Sequence, residues 1–229
     1  IMPVQANLRY RWSVDRAVEG ADAVVNLVGI LSESGRQSFN AVQAFGARAV
    51  AEATRAAGIP NLVQMSALGA HPNSESLYAK SKAEGEAAAL ETVPGAVVLR
   101  PSIVFGPEDK FFNRFADLTR YLPALPLIGG GTTKFQPVFV GDVAEVIARA
   151  VDGTVEGGRI YELGGPEVKT FRECLELILS EIGRSRPLVS LPWGVARAQA
   201  SVMEWLPNPM MTRDQLKLLE TDNVVSEKA

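Results

Sequence analysis

The sequence predicts an α/β fold built on a doubly wound parallel sheet, and two observations support that prediction. Apolar segments at 21–29, 62–66 and 96–100 are nearly continuous, as expected for strands that helices bury on both faces. Helical patterns separate them, over 38–57 and from Tyr78 onward. The order is therefore βαβαβ, which is the order of a parallel sheet with helices on both sides.

The composition excludes several classes of protein. Of 229 residues, 47% are hydrophobic and 21% are charged, which is ordinary for a globular protein with a sizeable core. The net charge of −3 gives no reason to expect nucleic-acid binding. The single cysteine, Cys174, excludes an intrachain disulfide and is predicted to be a buried thiol; the single histidine, His71, excludes a histidine-rich metal cluster, so we expect no metal site. No apolar run reaches the roughly 18 residues needed to span a bilayer, and no secretory signal is present, which predicts a cytoplasmic or matrix compartment or a peripheral position on a membrane complex.

The N-terminal part of the chain begins within a predicted strand, residues 1–6. Because the sequence does not open with Met, we expect it to be a fragment whose beginning is missing. Ser13 is predicted to cap a short helix that ends near Val18. Gly58 and Pro60 are predicted to stop the long alanine-rich helix.

An aromatic stripe marks the segment 108–128. Large apolar residues recur there at helical spacing, namely Phe111, Phe112, Phe115, Leu118 and Leu122. The pattern predicts a helix packed on the core, and the alternative is a wall of a substrate pocket.

We expect residues 1–186 to form one domain, with segments 105–135 and 160–170 contributing to a smaller lobe. Residues 187–229 then form the C-terminal lobe.

Three spacings resemble capping boxes, in which an N-cap side chain and an acid or amide three residues later bond each other's backbone. They are Asp142 with Glu145, Thr170 with Glu173, and Thr212 with Gln215. The first favours a structural role for Asp142 over a catalytic one.

The stretch 193–206 has helical periodicity, which predicts a helix that faces the core. The alternative is a helix that docks to a partner protein or a membrane surface.

The chemistry of the chain centres on Tyr78 and Lys82. Four residues apart on a helix, they share one face. An ammonium beside a phenol favours the phenolate, which would let Tyr78 act as a general acid or base near neutral pH. Ser66 ends the preceding strand, twelve residues before Tyr78, and Arg100-Pro101 ends the next one.

This pattern of strand, Ser, Tyr-x-x-x-Lys helix, strand and Arg-Pro resembles the short-chain dehydrogenase/reductase superfamily, in its extended and atypical branch. The resemblance implies a Rossmann-like fold and assigns the catalytic roles to Ser66, Tyr78 and Lys82. In the family the serine polarises a substrate carbonyl or hydroxyl and the tyrosine transfers the proton. The lysine holds the nicotinamide ribose and lowers the tyrosine pKa.

The resemblance also assigns cofactor contacts to the carboxyl ends of the strands. It implies that Asn7 and Leu8 contact the adenine, that Val28 and Gly29 run beside the cofactor, and that Pro101, Ser102 and Ile103 border the nicotinamide. The family's glycine-rich pyrophosphate turn is absent from this sequence. We therefore expect that an N-terminal βαβ unit of about 30 residues or more is missing and that this chain binds cofactor weakly by itself. The residues that decide between NAD(H) and NADP(H) are expected in that missing unit.

Longer phrases narrow the resemblance to the accessory subunit family of respiratory complex I, the NADH:ubiquinone oxidoreductase, and its bacterial relatives. The most specific are the stretch 100–109 and the phrases at 212–215 and 222–225. The family implies a tightly held, mainly structural NADP(H), partners among the complex I subunits, and a place peripheral to the inner membrane in a bacterium or on the matrix side in a mitochondrion.

Three hypotheses follow. The first is an NAD(P)(H)-binding accessory or assembly subunit of a respiratory complex, which the specific phrases favour. The second is an active NAD(P)-dependent reductase, epimerase or dehydratase, which the Ser66, Tyr78 and Lys82 set favours. The third is a binding module that senses the ratio of reduced to oxidised nucleotide.

Overall fold

The computed structural model describes residues 2–205, 209 and 211–227, which form two compact units. One unit comprises residues up to 100 together with 144–162, and the other comprises 101–143 together with residues from 163 onward. The first unit contains the Tyr78 helix.

The first unit is built on a four-stranded sheet in the order β1-β2-β3-β8, where β1 pairs with β2 and β2 with β3 in parallel. This confirms the predicted α/β class with a parallel sheet. The four strands are β1 (Ala23–Asn26), β2 (Asn61–Met65), β3 (Val97–Pro101) and β8 (Arg159–Leu163).

Helices connect these strands as the sequence predicted. They are α1 (Arg11–Val18), α2 (Phe45–Ala56) and α3 (Leu77–Thr92), with α5 (Val140–Val151) leading towards β8. Small apolar residues allow α2 and the strands to pack closely, and Ala51, Ala53, Leu62 and Ala96 are almost fully buried in one core. Asn40–Ala44 precedes α2 as one turn of π-helix, an irregularity that the sequence pattern did not indicate.

Two N-terminal predictions are wrong. Residues 2–6 are exposed and form no strand, since no described strand offers them a hydrogen-bonded ladder. Ser13 does not cap α1, which begins two residues earlier at Arg11. Its buried hydroxyl instead shares its one proton between the carbonyls of Asn7 and Tyr10 and accepts from the Asn7 N–H, so it ties the preceding loop to the helix.

The second unit contains the predicted aromatic helix. Its helices are α4 (Phe112–Tyr121), α6 (Phe171–Glu181), α7 (Trp193–Met203) and α8 (Arg213–Leu219), and its strand pairs are β5 (Leu125–Ile128) with β10 (Leu188–Leu191), β4 (Val104–Phe105) with β7 (Val138–Phe139), and β6 (Lys134–Phe135) with β9 (Lys169–Thr170). Phe111, Phe112 and Phe115 pack against a core that contains Phe171 and Cys174, so the stripe is core. Burial raises the pKa of Cys174 to about 11, as expected for a structural thiol.

Two of the three predicted capping boxes are present. Thr170 and Glu173 open α6, and Thr212 and Gln215 open α8, in each case with both reciprocal hydrogen bonds. The prediction for Asp142 and Glu145 is wrong, because α5 begins at Val140 and the Glu145 carboxylate bonds Arg149 instead. Within the described ranges, no helix combines the length and hydropathy that a membrane crossing requires.

Candidate functional site

Helix α3 places Tyr78 and Lys82 side by side in its first two turns. Ser76 caps the helix by accepting a hydrogen bond from the Ala79 N–H, which fixes where the first turn begins. The Lys82 Nζ atom lies 5.9 Å from the centroid of the Tyr78 ring. The i,i+4 spacing therefore brings the two side chains together, as predicted.

Lys82 carries a buried ammonium group. The residue is only 7% exposed, and its Nζ donates to the carbonyl of Met65, at the end of β2, over 3.2 Å. Burial lowers the pKa of Lys82 to about 8, and the charge of Glu86, one turn further along α3, opposes that shift. At neutral pH the group is still mainly cationic, and it is a strong hydrogen-bond donor close to the sheet edge.

Tyr78 behaves differently from the prediction. Burial raises its pKa to about 12, so the expectation of a phenolate near neutral pH is wrong. The ammonium of Lys82 lies over the ring, where it interacts with the π-face, and the edge of Phe39 packs against the ring at 5.9 Å between centroids. The phenol therefore keeps its proton across the physiological range and can donate it, but it is a poor general base.

Ser66 is held by a buried ion pair. Its hydroxyl donates to Glu86 Oε1 over 2.5 Å, and the same carboxylate accepts two hydrogen bonds from Arg100 at 2.7 and 2.6 Å. A hydroxyl has one proton, and here a charged acceptor binds it. Ser66 can polarise a substrate carbonyl only if it gives up this bond.

Gln43 is a site residue that sequence reasoning missed. It lies in the π-helical turn and is 3% exposed; its Nε2 donates to Ser81 Oγ, while its Oε1 is buried without a hydrogen-bond partner. A Cβ placed on Gly29 would lie 3.5 Å from that oxygen and 3.2 Å from Lys82 Nζ. The absence of a side chain at Gly29 therefore lets this segment lie close to both an acceptor and a cation. A π-helical turn is a frequent mark of functional sites, but it cannot be predicted from residue periodicity.

The other predicted contacts in the first unit have structural partners. Asn7 accepts from the Arg9 backbone through its side chain, and Leu8 packs against Gly46 at the start of α2. Val28 is 46% exposed, and its N–H donates to Asn26 Oδ1. Of these, only the segment of Val28 and Gly29 adjoins Lys82.

Pro101, Ser102 and Ile103 lie in the second unit, at and beyond the end of β3. The Ser102 hydroxyl is buried and bonds the side-chain oxygen and the carbonyl of Asn223 at 2.7 and 2.9 Å. The carbonyl of Ile103 accepts from the Val138 N–H. Their role beside a nicotinamide stays a prediction.

We expect Gly29→Ala to weaken nucleotide binding about three- to tenfold with little loss of stability, because its methyl group displaces the Lys82 ammonium without touching the core. Titration of intrinsic or NADPH fluorescence measures the affinity, and thermal unfolding measures the stability. Gly194→Ala is the control for a glycine away from the site, since no atom lies within 4 Å of its Cβ position and its backbone does not have a positive φ. An unchanged affinity in Gly29→Ala would show that binding does not depend on the position of the Lys82 ammonium beside Gly29.

Comparisons with known proteins agree on one family. The model of the NAD dependent epimerase/dehydratase family matches residues 3–164. The mitochondrial NADH dehydrogenase [ubiquinone] 1 alpha subcomplex subunit 9 of Arabidopsis thaliana is 36% identical over the whole of this chain, and that of Mus musculus is 31% identical over 93% of it. A ceramide reductase of Caulobacter vibrioides is 31% identical over 84% of the chain. The chain spans 57% to 61% of the length of these three relatives.

Solved structures of other proteins have a fold similar to that of this chain. A UDP-glucose 4-epimerase of Thermus thermophilus in complex with NAD superposes with a TM-score of 0.65 at 25% identity, covering 82% of this chain and 71% of its own. A dTDP-glucose 4,6-dehydratase of Streptomyces venezuelae with NAD bound superposes with a TM-score of 0.69 at 23% identity, covering 82% and 66%. Both are α/β proteins of the nucleotide-binding type that the βαβαβ order predicted.

Proposed function

Because this chain belongs to the NAD dependent epimerase/dehydratase family, we propose that it binds a nicotinamide dinucleotide as an accessory or assembly subunit of a respiratory NADH:quinone oxidoreductase. In this proposal the nucleotide is mainly structural, and NADP(H) is preferred to NAD(H), as the sequence resemblance implies. The proposal includes complex I subunits as partners and a place peripheral to the membrane, on the matrix side in a mitochondrion.

One observation supports nucleotide binding above the others. The buried Lys82 ammonium, the unpartnered Gln43 Oε1 and the backbone of Gly29 lie close together, and the ammonium also lies over the Tyr78 ring. A ribose presents hydroxyl groups that both donate and accept, and these match a cation on one side and an amide oxygen on the other. The residues present therefore fit the sugar of a nicotinamide nucleotide, with Lys82 and Gln43 as its holders.

The chemistry of the neighbouring residues favours a nucleotide holder over a catalyst. The hydroxyl proton of Ser66 is hydrogen-bonded to Glu86. The pKa of Tyr78, raised to about 12, keeps its phenol protonated. When bound, the nucleotide would supply hydride chemistry. Beside it Tyr78 could donate a proton, but neither Ser66 nor Tyr78 is set up to accept one at neutral pH. Pro101, Ser102 and Ile103 stay in the proposal as nicotinamide neighbours on the strength of the sequence resemblance alone.

The experiment starts from membrane extracts of the source organism separated on a native gel. We expect the complete gene product to migrate with NADH dehydrogenase activity, and the nucleotide released on denaturing that band to be NADP(H). Migration as a small separate species would refute the subunit assignment. Release of NAD(H) alone would refute the NADP(H) preference and leave the subunit assignment intact.

An active reductase is the second candidate, and the contact of Lys82 with Tyr78 favours it, since the cation is well placed to hold a nucleotide beside a proton donor. The similarity to a ceramide reductase agrees with this candidate. It predicts oxidation of NADPH in the presence of a carbonyl substrate, and Tyr78→Phe should abolish that oxidation while leaving nucleotide affinity intact. Oxidation at the wild-type rate in Tyr78→Phe would exclude this tyrosine as the proton donor.

A further inference from the structure

Two amide side chains lie in the interior of the parallel sheet, where aliphatic side chains are the rule. Asn26, the last residue of β1, is 4% exposed, and Gln64 of β2 is 3% exposed. They face each other in register, and Asn26 Nδ2 donates to Gln64 Oε1 over 2.9 Å. Burial of amides is unfavourable unless their polar atoms are bonded, so the remaining atoms of this pair must also have partners.

Those remaining atoms bond the two segments that border the proposed nucleotide site. Asn26 Oδ1 accepts from the Val28 N–H over 3.2 Å, which holds the segment that leads into Gly29. Gln64 Nε2 donates over 3.1 Å to the Met65 carbonyl, and Lys82 Nζ donates to the same oxygen over 3.2 Å. All four polar atoms of the two amides are therefore bonded.

The two ends of this chain of hydrogen bonds, Val28 and Lys82, lie close together. Gly29 follows Val28 directly, and a Cβ on Gly29 would lie 3.2 Å from Lys82 Nζ. Hydrogen bonds thus run from the glycine segment through the interior of the sheet to the ammonium group that lies beside Gly29. Two aliphatic residues could fill the same volume, but they could not fix the N–H of Val28 and the carbonyl of Met65.

We infer that Gln64, together with Asn26, is a positioning residue of the nucleotide site, which sets the glycine segment and the Lys82 ammonium at a fixed separation so that both meet the same nucleotide group. This inference rests on the proposed function. The two amides act through Val28 and Met65, whose backbone groups they hold.

The double variant Asn26→Leu/Gln64→Met tests this role. It replaces both amides with apolar side chains of similar size, so neither amide is left without the other. The Met65 carbonyl still accepts from Lys82 Nζ, and the N–H of Val28, a residue that is 46% exposed, can bond water, so stability should be kept. We expect a melting temperature at or above that of the wild type and a dissociation constant for NADPH or NADH at least about tenfold higher, because misplacement of a binding group is costly. Thr54→Val is the matched control, since it removes a fully buried hydroxyl of α2 whose one hydrogen bond, within the part of the chain that the structure describes, goes to the Val50 carbonyl. An affinity within about twofold of the wild type in the double variant would overturn the inference.

A second measurement needs no nucleotide. If the wild-type gene product binds neither NADPH nor NADH, the proposed function fails, and the Lys82 ammonium resonance at pH 6 then decides the inference. A buried ammonium held by a carbonyl exchanges its protons slowly, so we expect a nitrogen–proton signal in the wild type and in Thr54→Val that is absent from Lys82→Met. The inference predicts that Asn26→Leu/Gln64→Met loses this signal by releasing the ammonium to solvent, and an unchanged signal would contradict it.

Discussion

Replacement of Lys82 with methionine is expected to weaken nucleotide binding about 10- to 100-fold and, at the same time, to stabilise the fold. Loss of a charge-assisted hydrogen bond is worth about 1.5–3 kcal/mol, which corresponds to that range of affinities. Met matches the length of the lysine stem and fills the same space without a charge. The two opposite effects separate a functional ammonium from a structural one.

The stabilising effect follows from the cost of burying the charge. The drop in the Lys82 pKa from 10.5 to about 8 corresponds to roughly 3 kcal/mol that the folded state loses at neutral pH. The unfolded chain binds the proton more tightly, so the cost is fully present below about pH 8 and disappears as the pH rises towards 10.5. Lys82→Met should therefore be more stable than the wild type at pH 7, and the difference should shrink in alkaline buffer.

Lys80 provides the matched control because it lies on the same helix, two residues earlier, but is exposed. Lys80→Met should leave both affinity and stability near their wild-type values. The pH dependence adds a further check, since the wild-type affinity should fall as the pH rises through 8 while that of Lys82→Met stays flat. Loss of stability in Lys82→Met with unchanged affinity would assign the ammonium to the fold alone.

The sequence was a good guide wherever the relevant contacts are local. The i,i+4 spacing of Tyr78 and Lys82 and the two capping boxes at Thr170 and Thr212 each depend on residues within one or two helical turns, and all three are present. The apolar strands and their order likewise follow from periodicity. These features need no knowledge of what packs across the sheet.

The features that the sequence did not predict correctly share a different cause. The Tyr78 pKa is set by the burial of its ring, and burial depends on residues distant in sequence, such as Phe39. The partner of Ser66 is Glu86, twenty residues away, and the unpartnered oxygen of Gln43 depends on a π-helical turn that an alanine-rich pattern does not reveal. Motif spacing identified the residue types of the site, but their hydrogen-bond partners required the tertiary structure.

Removal of one member of the buried ion pair should have the largest effect on stability. Glu86 is 5% exposed in its side chain and Arg100 is 21% exposed, and the hydrogen bonds to Glu86 hold the pKa of Arg100 above its ordinary value. Loss of either partner leaves a charge in a poorly hydrated place. We expect Arg100→Met and Glu86→Leu each to lower the free energy of unfolding by about 3–5 kcal/mol.

The two variants should not be equal. After Glu86→Leu, Arg100 keeps a second carboxylate, Glu162, at 4.0 Å, and part of its side chain reaches solvent. After Arg100→Met, the hydroxyl of Ser66 is the one hydrogen-bond partner that the more deeply buried Glu86 carboxylate keeps among the described residues. Arg100→Met should therefore be the more destabilising of the two.

Urea unfolding measures these differences as shifts of the midpoint at a constant m-value. The double variant Glu86→Leu/Arg100→Met should lose clearly less than the sum of the single variants, because neither charge is then left alone. Arg149→Met, which breaks the exposed pair with Glu145, should change stability by less than about 1 kcal/mol. Additive losses would mean that the two side chains contribute separately. A recovered double variant would instead show that the two charges stabilise the fold only as a pair. Because the Ser66 hydroxyl donates to the same carboxylate, a catalytic role for this serine would then require a bond of a stabilising pair to open.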